Sequence, residues 1–501
     1  MSRTTKIYLT IILIGLAIRL WDINIPLLEF YPSRQIQTAE ITRNLYRNGF
    51  NVLAPSVRYL GPGPGLFLVE FPLYNSAVAI LYYIFGLHEY FGRIFSILGW
   101  ILSSFFLWKL ASKYVGRLAA STALFFYTFS PLSVLVSRSF QPDQWMLATS
   151  LGAIYFLDKW VNEKRWSLFY LSVIFAACSF LLKLPSIIFT LVPVMYLIFQ
   201  SKMRFIRSRL SIYYLLAAFP SVIWYFWVMI MNKSGETLQH SVAVSNWFGF
   251  EVFLNPSYYS NIFGFEINLV LGPIGILLFL VGLFTKLKSS QNLLYFWLGG
   301  VILYFLIFNK HNMTHEYYHL PLLPIATIFI GIAGAKIYKI FNNLIIKRDL
   351  VFIISGLFAC ASLFIIIWTR AYKPIDRFGY VFETADAIKR LTNQNDLVIG
   401  LMDEGPSLVY YSDRTGWGFD VDPKKIQTHR KFIGLKDALV VDPIIKLEEL
   451  RSRGAVVFAS SNKVQLLQNK EFSQYLYNRY PILEETDNYV IFDVKKTKNG
   501  I

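Results

Sequence analysis

Stretches of roughly eighteen uncharged, mostly apolar residues recur along this chain, and each is long enough to cross the ~30 Å hydrocarbon core of a bilayer. Ile267–Phe284 and Val351–Trp368 are two of them, and neither holds a charge. A soluble domain does not repeat such runs, so the reading begins from a polytopic membrane protein. Candidate spans are 5–22, 93–112, 118–137, 144–158, 165–182, 184–200, 209–230, 266–285, 291–308, 319–338 and 351–369, about eleven transmembrane helices in all. The formal net charge of +17 would suit a nucleic-acid partner by itself. Its distribution fits the positive-inside bias of a membrane protein better, so no nucleic acid is expected. Cys178 and Cys360 both lie within apolar runs and read as core residues, not as a disulfide or metal pair. The run Ile7–Trp21 lacks a small-residue cleavage site after it and reads as a retained first helix.

The stretch Phe71–Leu87 decides the topology. If it does not cross and the N-terminus is cytoplasmic, the inner loops carry Lys109, Lys113 and Arg117; Lys159, Lys164 and Arg165; Lys202, Arg204, Arg207 and Arg209; Lys286 and Lys288; and Lys336, Lys339, Lys347 and Arg348. The short outer loops then carry only Arg138, Lys183 and Lys310. If it crosses, the bias reverses. Phe71–Leu87, with its Pro72 and Asn75, is therefore expected to be a re-entrant or interfacial helix. Three parts then face outward: the loop 23–92, the loop 231–265 and the tail from Arg370.

In the tail the apolar runs shorten to Leu397–Leu401, Ala455–Ala459 and Tyr489–Val494, interleaved with charged helical stretches such as Ala385–Leu391. That pattern predicts a small α/β domain. The expected organisation is a membrane domain over 1–372 with the outer loop 23–92, followed by an extracytoplasmic α/β domain over 373–501. The tail shows no glycine-rich phosphate loop and no metal-ligand spacing.

Charged groups near membrane depth are costly and mark function more often than chance. Tyr31–Asn44 reads as a helix capped by Ser33, with Glu40, Arg43 and Asn44 on one face. Spacing alone leaves open whether that face is catalytic or a solvated face with a local ion pair. Asp143 follows Pro142 at the outer start of a helix, where the helix dipole alone would favour it. Lys183, between Phe180-Leu181-Leu182 and Leu184-Pro185, either snorkels to the interface or binds an anion. The loop His311–His319 gathers three histidines and Glu316 without diagnostic ligand spacing, so no cofactor is assigned and a divalent metal stays an open option.

Together these pieces resemble the GT-C glycosyltransferases, specifically the protein O-mannosyltransferase and aminoarabinose-transferase group. The likeness rests on Arg34-Gln35…Thr38-Ala39-Glu40-Ile41…Arg43-Asn44, on Glu70-Phe71-Pro72-Leu73-Tyr74 running through Gly86 to Arg93, and on Pro142-Asp143 and Leu182-Lys183. His315…Tyr317-Tyr318-His319-Leu320-Pro321 is similar to the family's late outer loop. The likeness covers roughly 5–340.

The resemblance implies a GT-C-like fold and inverting sugar transfer from a polyprenyl-phosphate donor on the outer face. It implies a membrane-lipid partner and leaves the acceptor, whether protein, lipid or glycan, unspecified. It makes Lys183, helped by Arg34 or Arg43, the donor-phosphate cations, and gives His315, Glu316 and Tyr317 to the acceptor side or loop. The family usually places an acidic residue, often Asp-Glu, where Arg34-Gln35 stands here. Glu40 is therefore ranked first as base, then Glu29, with Asp143 as the second carboxylate. The competing readings are a transporter or flippase of lipid-linked saccharides, which the missing internal repeat disfavours, and a non-catalytic scaffold displaying the tail.

Overall fold

A computed structural model describes residues 3–200, 204–233, 247–342, 379–401, 406–421 and 442–498, with a few positions between 356 and 364. The expected span 351–369 and the 372/373 domain boundary thus lie largely outside the described residues, as does the middle of the loop 231–265.

The fold is mainly helical with a small C-terminal sheet. Helices occupy the other ten expected spans: α1 (Arg3–Leu20), α4 (Tyr90–Val115), α5 (Arg117–Phe129) with α6 (Pro131–Arg138), α7 (Asp143–Glu163), α8 (Trp166–Leu182), α9 (Ser186–Gln200), α10 (Arg204–Lys233), α12 (Pro256–Phe265) with α13 (Gly272–Leu283), α14 (Leu293–Ile307) and α16 (Leu322–Asn342). Among the described residues, three stretches are long and apolar enough to cross a membrane alone: Tyr90–Val115, Ser289–Ile307 and Leu322–Ile340. Two further spans form only if each bent pair is one unit. α5 and α6 meet at 58°, because Pro131 has no N–H to continue the ladder while the Ser130 hydroxyl turns to the carbonyl of Val270. α12 runs through a π-helical turn, Glu266–Val270, and meets α13 at 102° across Gly272, whose φ of +71° suits glycine.

The short helices α11 (Phe250–Phe253) and α15 (Asn309–Thr314) lie in later loops, and two helices belong to the loop 23–92. α2 (Pro32–Arg47) starts one residue before the expected Ser33 cap. Pro32 takes the first helical position, where a missing N–H costs nothing, and Tyr31 caps it in a left-handed conformation. α3 (Leu73–Phe85) has thirteen residues, about 20 Å of helix, too short to cross unaided. Tyr74, Asn75, Val78, Ala79 and Tyr82 are buried on one side, and Ile80, Ile84 and Phe85 are exposed on the other. Asn75 donates to the Thr38 carbonyl and binds α3 to α2.

Small residues let membrane helices approach closely. A Cβ on Gly331 of α16 would lie 2.2 Å from the Ala119 carbonyl oxygen of α5, so those backbones touch.

The tail has helices α17 (Gly379–Leu391), α18 (Ser407–Tyr411), α19 (Pro443–Ser452), α20 (Lys463–Gln468) and α21 (Lys470–Arg479) around a five-stranded sheet ordered β2-β1-β3-β5-β4. β1 (Leu397–Leu401) pairs parallel with β2 (Thr415–Phe419) and β3 (Ala455–Ser460), while β5 (Val490–Asp493) runs antiparallel to β3 and β4 (Ile482–Glu485). One core of this domain gathers Ile399, Phe419, Phe458, Phe472 and Phe492. Its other face, with Ile388, Val398, Leu408 and Tyr410, is continuous with the core of the membrane part.

Candidate active site

Four short segments bring charge to one place beside the loop 23–92, and a fifth adds two tyrosines. Arg34 lies in the first turn of α2, and Glu70 lies just before α3. The chain at Glu70 is pinned from α10, where the Trp224 indole donates to the Val69 carbonyl and packs edge-on against Phe71. Arg34 donates to Glu70 and to Gln37; burial opposes its charge most, but Glu70, Tyr317, Asp143 and Tyr318 together favour it.

Asp143 opens α7 directly after Pro142. The preceding turn is tied to α2, since the Phe140 N–H donates to Gln35 Oε1 at 2.8 Å. Lys183 ends α8 in an extended conformation, with Pro185 preventing further helix. Its Nζ donates to Asp143 Oδ1 at 2.6 Å, and the two side chains are only 9% and 2% exposed. The same Nζ stands 4.6 Å from both the Tyr317 and the Tyr318 ring centroids, in a 3₁₀ turn before α16. The Tyr318 hydroxyl is made less acidic first by burial, and it feels Lys183, Asp143, Arg34 and Glu70 together. Asp143 Oδ2 is buried without a hydrogen-bond partner.

This arrangement separates the carboxylates that sequence had put together. Glu40 does not share the site with Asp143. It is buried beside Arg43 and Arg58, with Arg58 Nε 2.7 Å from Oε1. Burial opposes its ionisation, but the two guanidiniums hold its carboxyl below the usual carboxylate range. Arg43 belongs to that cluster too and also faces Asp413 of the tail at 3.4 Å. Arg34 and Lys183 do converge. Glu29 is buried 3.1 Å from Arg93 and 3.8 Å from Arg138. Those arginines also donate to the carbonyls of Ile23 and Trp21, so Glu29 braces the start of the loop 23–92. The residue that ranking by spacing missed is Glu70. Its signal was Arg34 itself: a cation in place of the usual acid needs a counter-charge, and Glu70 is the acid that precedes the Pro72 helix start.

The late loop serves as a wall. His315 stacks on Tyr317 and Tyr318, and the Tyr31 hydroxyl donates to the Thr314 carbonyl. His311 is pushed down to about 4 by burial, then by Lys183 and Lys310, so it is neutral at pH 7. His319 Nδ1 lies 2.7 Å from Glu266 and Nε2 lies 2.9 Å from the Asn312 carbonyl, bracing the π-helical turn. Among the described residues no group of three or more His, Cys, Asp or Glu side chains is placed to hold a metal.

Residues 70–227 match the family model described as dolichyl-phosphate-mannose-protein mannosyltransferase. Over 98% of both chains, the fold superposes on ArnT from Cupriavidus metallidurans in the apo state, with a TM-score of 0.65 at 13% identity. The chain has the GT-C fold. The same GT-C framework superposes on ArnT bound to undecaprenyl phosphate, with a TM-score of 0.62, 12% identity and 98% of both chains covered. It also resembles the oligosaccharyltransferase AglB from Archaeoglobus fulgidus in complex with an inhibitory peptide and a dolichol-phosphate, with a TM-score of 0.55 and 10% identity over 97% of this chain and 74% of that one. No curated protein matches in sequence. The family-matched segment of this GT-C chain holds Glu70, Asp143 and Lys183, and Arg34 and the tyrosine pair come from outside it.

Proposed function

We propose that this multi-pass membrane protein moves a sugar from a polyprenyl-phosphate donor to an acceptor hydroxyl on the outer face of the membrane, with inversion. The observation that carries the reading is the pair of cation–carboxylate couples around Tyr318, one half-buried and one buried, with one oxygen of Asp143 unclaimed. Asp143 Oδ2 takes the acceptor proton as the acceptor oxygen attacks the anomeric carbon. The bond from that carbon to the phosphate oxygen breaks, and the phosphate gains a negative charge. Lys183 and Arg34 are positioned to neutralise it, in a site dry enough for the charges to count. Glu70 holds Arg34 in place. Nucleotide sugars are cytosolic, so a transferase working outside needs a lipid-carried donor, which is also what the exposed apolar face of α3 beside the site suits.

The orientation has its own test. Asp386 on α17 has an exposed side chain and is an open labelling position. A cysteine there, with Cys178 and Cys360 replaced by alanine, is expected to react with an impermeant maleimide in intact cells. Labelling only after lysis would put the tail and the site on the cytoplasmic side.

The function is tested by mass spectrometry of cell-envelope glycans with and without the gene. One modification is expected to disappear, to return with the wild-type gene, and not to return with Asp143→Asn. Full restoration by Asp143→Asn, or an unaltered glycan profile in the deletion strain, would contradict the proposal.

A further inference from the structure

We infer that the C-terminal domain is a working part of the site, latching α2 in the orientation that presents Arg34 to the donor phosphate. The inference rests on the assignment of Arg34 and Lys183 to that phosphate, and it adds positioning residues that touch no substrate: Asp413, Arg58 and Glu40.

The latch has an ionic half and a backbone half. Asp413 follows α18 in a left-handed conformation, φ +55°, and receives Arg47 and Arg58 at 2.7 Å each and Arg43 at 3.4 Å. Arg43 and Arg58 also hold Glu40, so two carboxylates and three guanidiniums alternate across the boundary between loop and tail. Arg43 covers the Tyr410 ring at 4.0 Å and donates to its carbonyl. In the backbone half, the Gly61 N–H donates to the Gly416 carbonyl at 2.7 Å, and the Gly416 N–H donates to the Arg58 carbonyl at 3.0 Å. Leu60 thereby pairs antiparallel with Trp417, and the outer loop docks on the free edge of β2 through this one bridge. This is the way an extended segment docks on a sheet edge, with main-chain bonds supplying the attachment. Trp417 lies so close over Gly61 that a Cβ there would be 2.3 Å from the indole nitrogen. The Leu27 N–H donates to the Tyr411 hydroxyl at 2.8 Å, a third fastening.

These contacts reach Arg34 by two routes. Arg43 and Arg47 lie on the same sixteen-residue helix as Arg34, so the latch sets the tilt of the whole rod. Beside the bridged Leu60, Tyr59 lies within 3.4 Å of the Gln37 amide, and Gln37 in turn accepts from Arg34. A displacement of about 1 Å at a positioned cation is enough to cost large factors in rate.

The test uses the full chain in nanodiscs titrated with undecaprenyl phosphate. Asp413→Ala and Arg58→Ala are each expected to weaken binding by roughly tenfold, and Asp413→Glu to recover most of it. A loss that came only from a damaged fold would not respond to a cross-link. Leu60→Cys and Trp417→Cys are therefore added to Asp413→Ala, with Cys178 and Cys360 replaced by alanine. Directly paired antiparallel positions suit a disulfide. Oxidation is expected to restore binding and reduction to abolish the gain. Wild-type affinity in Asp413→Ala alongside lost affinity in Lys183→Ala would overturn the latch and leave the donor site standing. Failure of the wild-type protein to bind undecaprenyl phosphate would overturn both.

Discussion

Asp143→Asn is expected to leave a folded protein that still binds donor but transfers sugar about 10²–10⁴-fold more slowly, the usual contribution of a general base. Asparagine keeps the shape and an acceptor oxygen for Lys183, so the 2.6 Å contact can persist. What it loses is the capacity to take a proton at Oδ2, the buried oxygen that no neighbour occupies. The effect therefore falls on kcat and little on KM for the donor. Glu70→Gln is the informative comparison. Glu70 is committed to Arg34, so its loss frees the guanidinium and raises KM more than it lowers kcat. Glu40→Gln falls on neither chemistry nor donor phosphate directly, because its carboxylate is already shared between Arg43 and Arg58. Normal kcat in Asp143→Asn, with collapse in Glu70→Gln, would move the base to Glu70.

Lys183→Ala is expected to lower transfer a hundredfold or more, since one donor aimed at developing charge is worth about 3–4 kcal/mol. The phosphate goes from one to two negative charges as the glycosidic bond breaks, and Lys183 lies among Asp143, Tyr317 and Tyr318 where water is scarce. This variant also strands Asp143 without its cation. Breaking a buried pair by removing one partner costs about 3–5 kcal/mol of stability. The double variant Lys183→Met with Asp143→Asn removes both charges and should recover thermal stability without recovering transfer. A fall in transfer that tracks the melting temperature, and returns in the double variant, would assign Lys183 to folding alone.

Hydropathy revealed where the helices lie, because a membrane helix must satisfy its backbone internally and present apolar side chains outward. It could not reveal the bends at Ser130–Pro131 and Leu271–Gly272, since the apolar run continues through each break. The strands β1, β3 and β5 stood out as short apolar runs, whereas β2, Thr-Gly-Trp-Gly-Phe, did not. Gly416 is there because β1 passes too close for a side chain: a Cβ on it would lie 1.8 Å from the Val398 carbonyl oxygen. In the site, Asp143 and Lys183 were visible as charges at the outer ends of apolar helices. Glu40 and Arg43 are visible as helix neighbours, but spacing leaves open whether that face is catalytic or an ion pair, and only the family resemblance makes Glu40 the base. What decided their place was Arg58 and Asp413, brought by a loop and by a domain far along the chain, and no local pattern carries that information. Glu70 stands in a motif but carries no local mark of its role, because its partner Arg34 reads as a departure until both are seen in contact.

Sugar transfer from a polyprenyl phosphate is what the cluster of Arg34, Glu70, Asp143 and Lys183 is proposed to perform. The most direct measurement is release of polyprenyl phosphate from purified wild-type protein in nanodiscs, supplied with a polyprenyl-phosphate sugar and envelope extract as acceptor, alongside Asp143→Asn. The account predicts sugar transfer and lipid-phosphate release in equal amounts from the wild type, and at least a hundredfold less of both from the variant. Equal release from the two proteins, or movement of the intact donor between leaflets with no release, would contradict it.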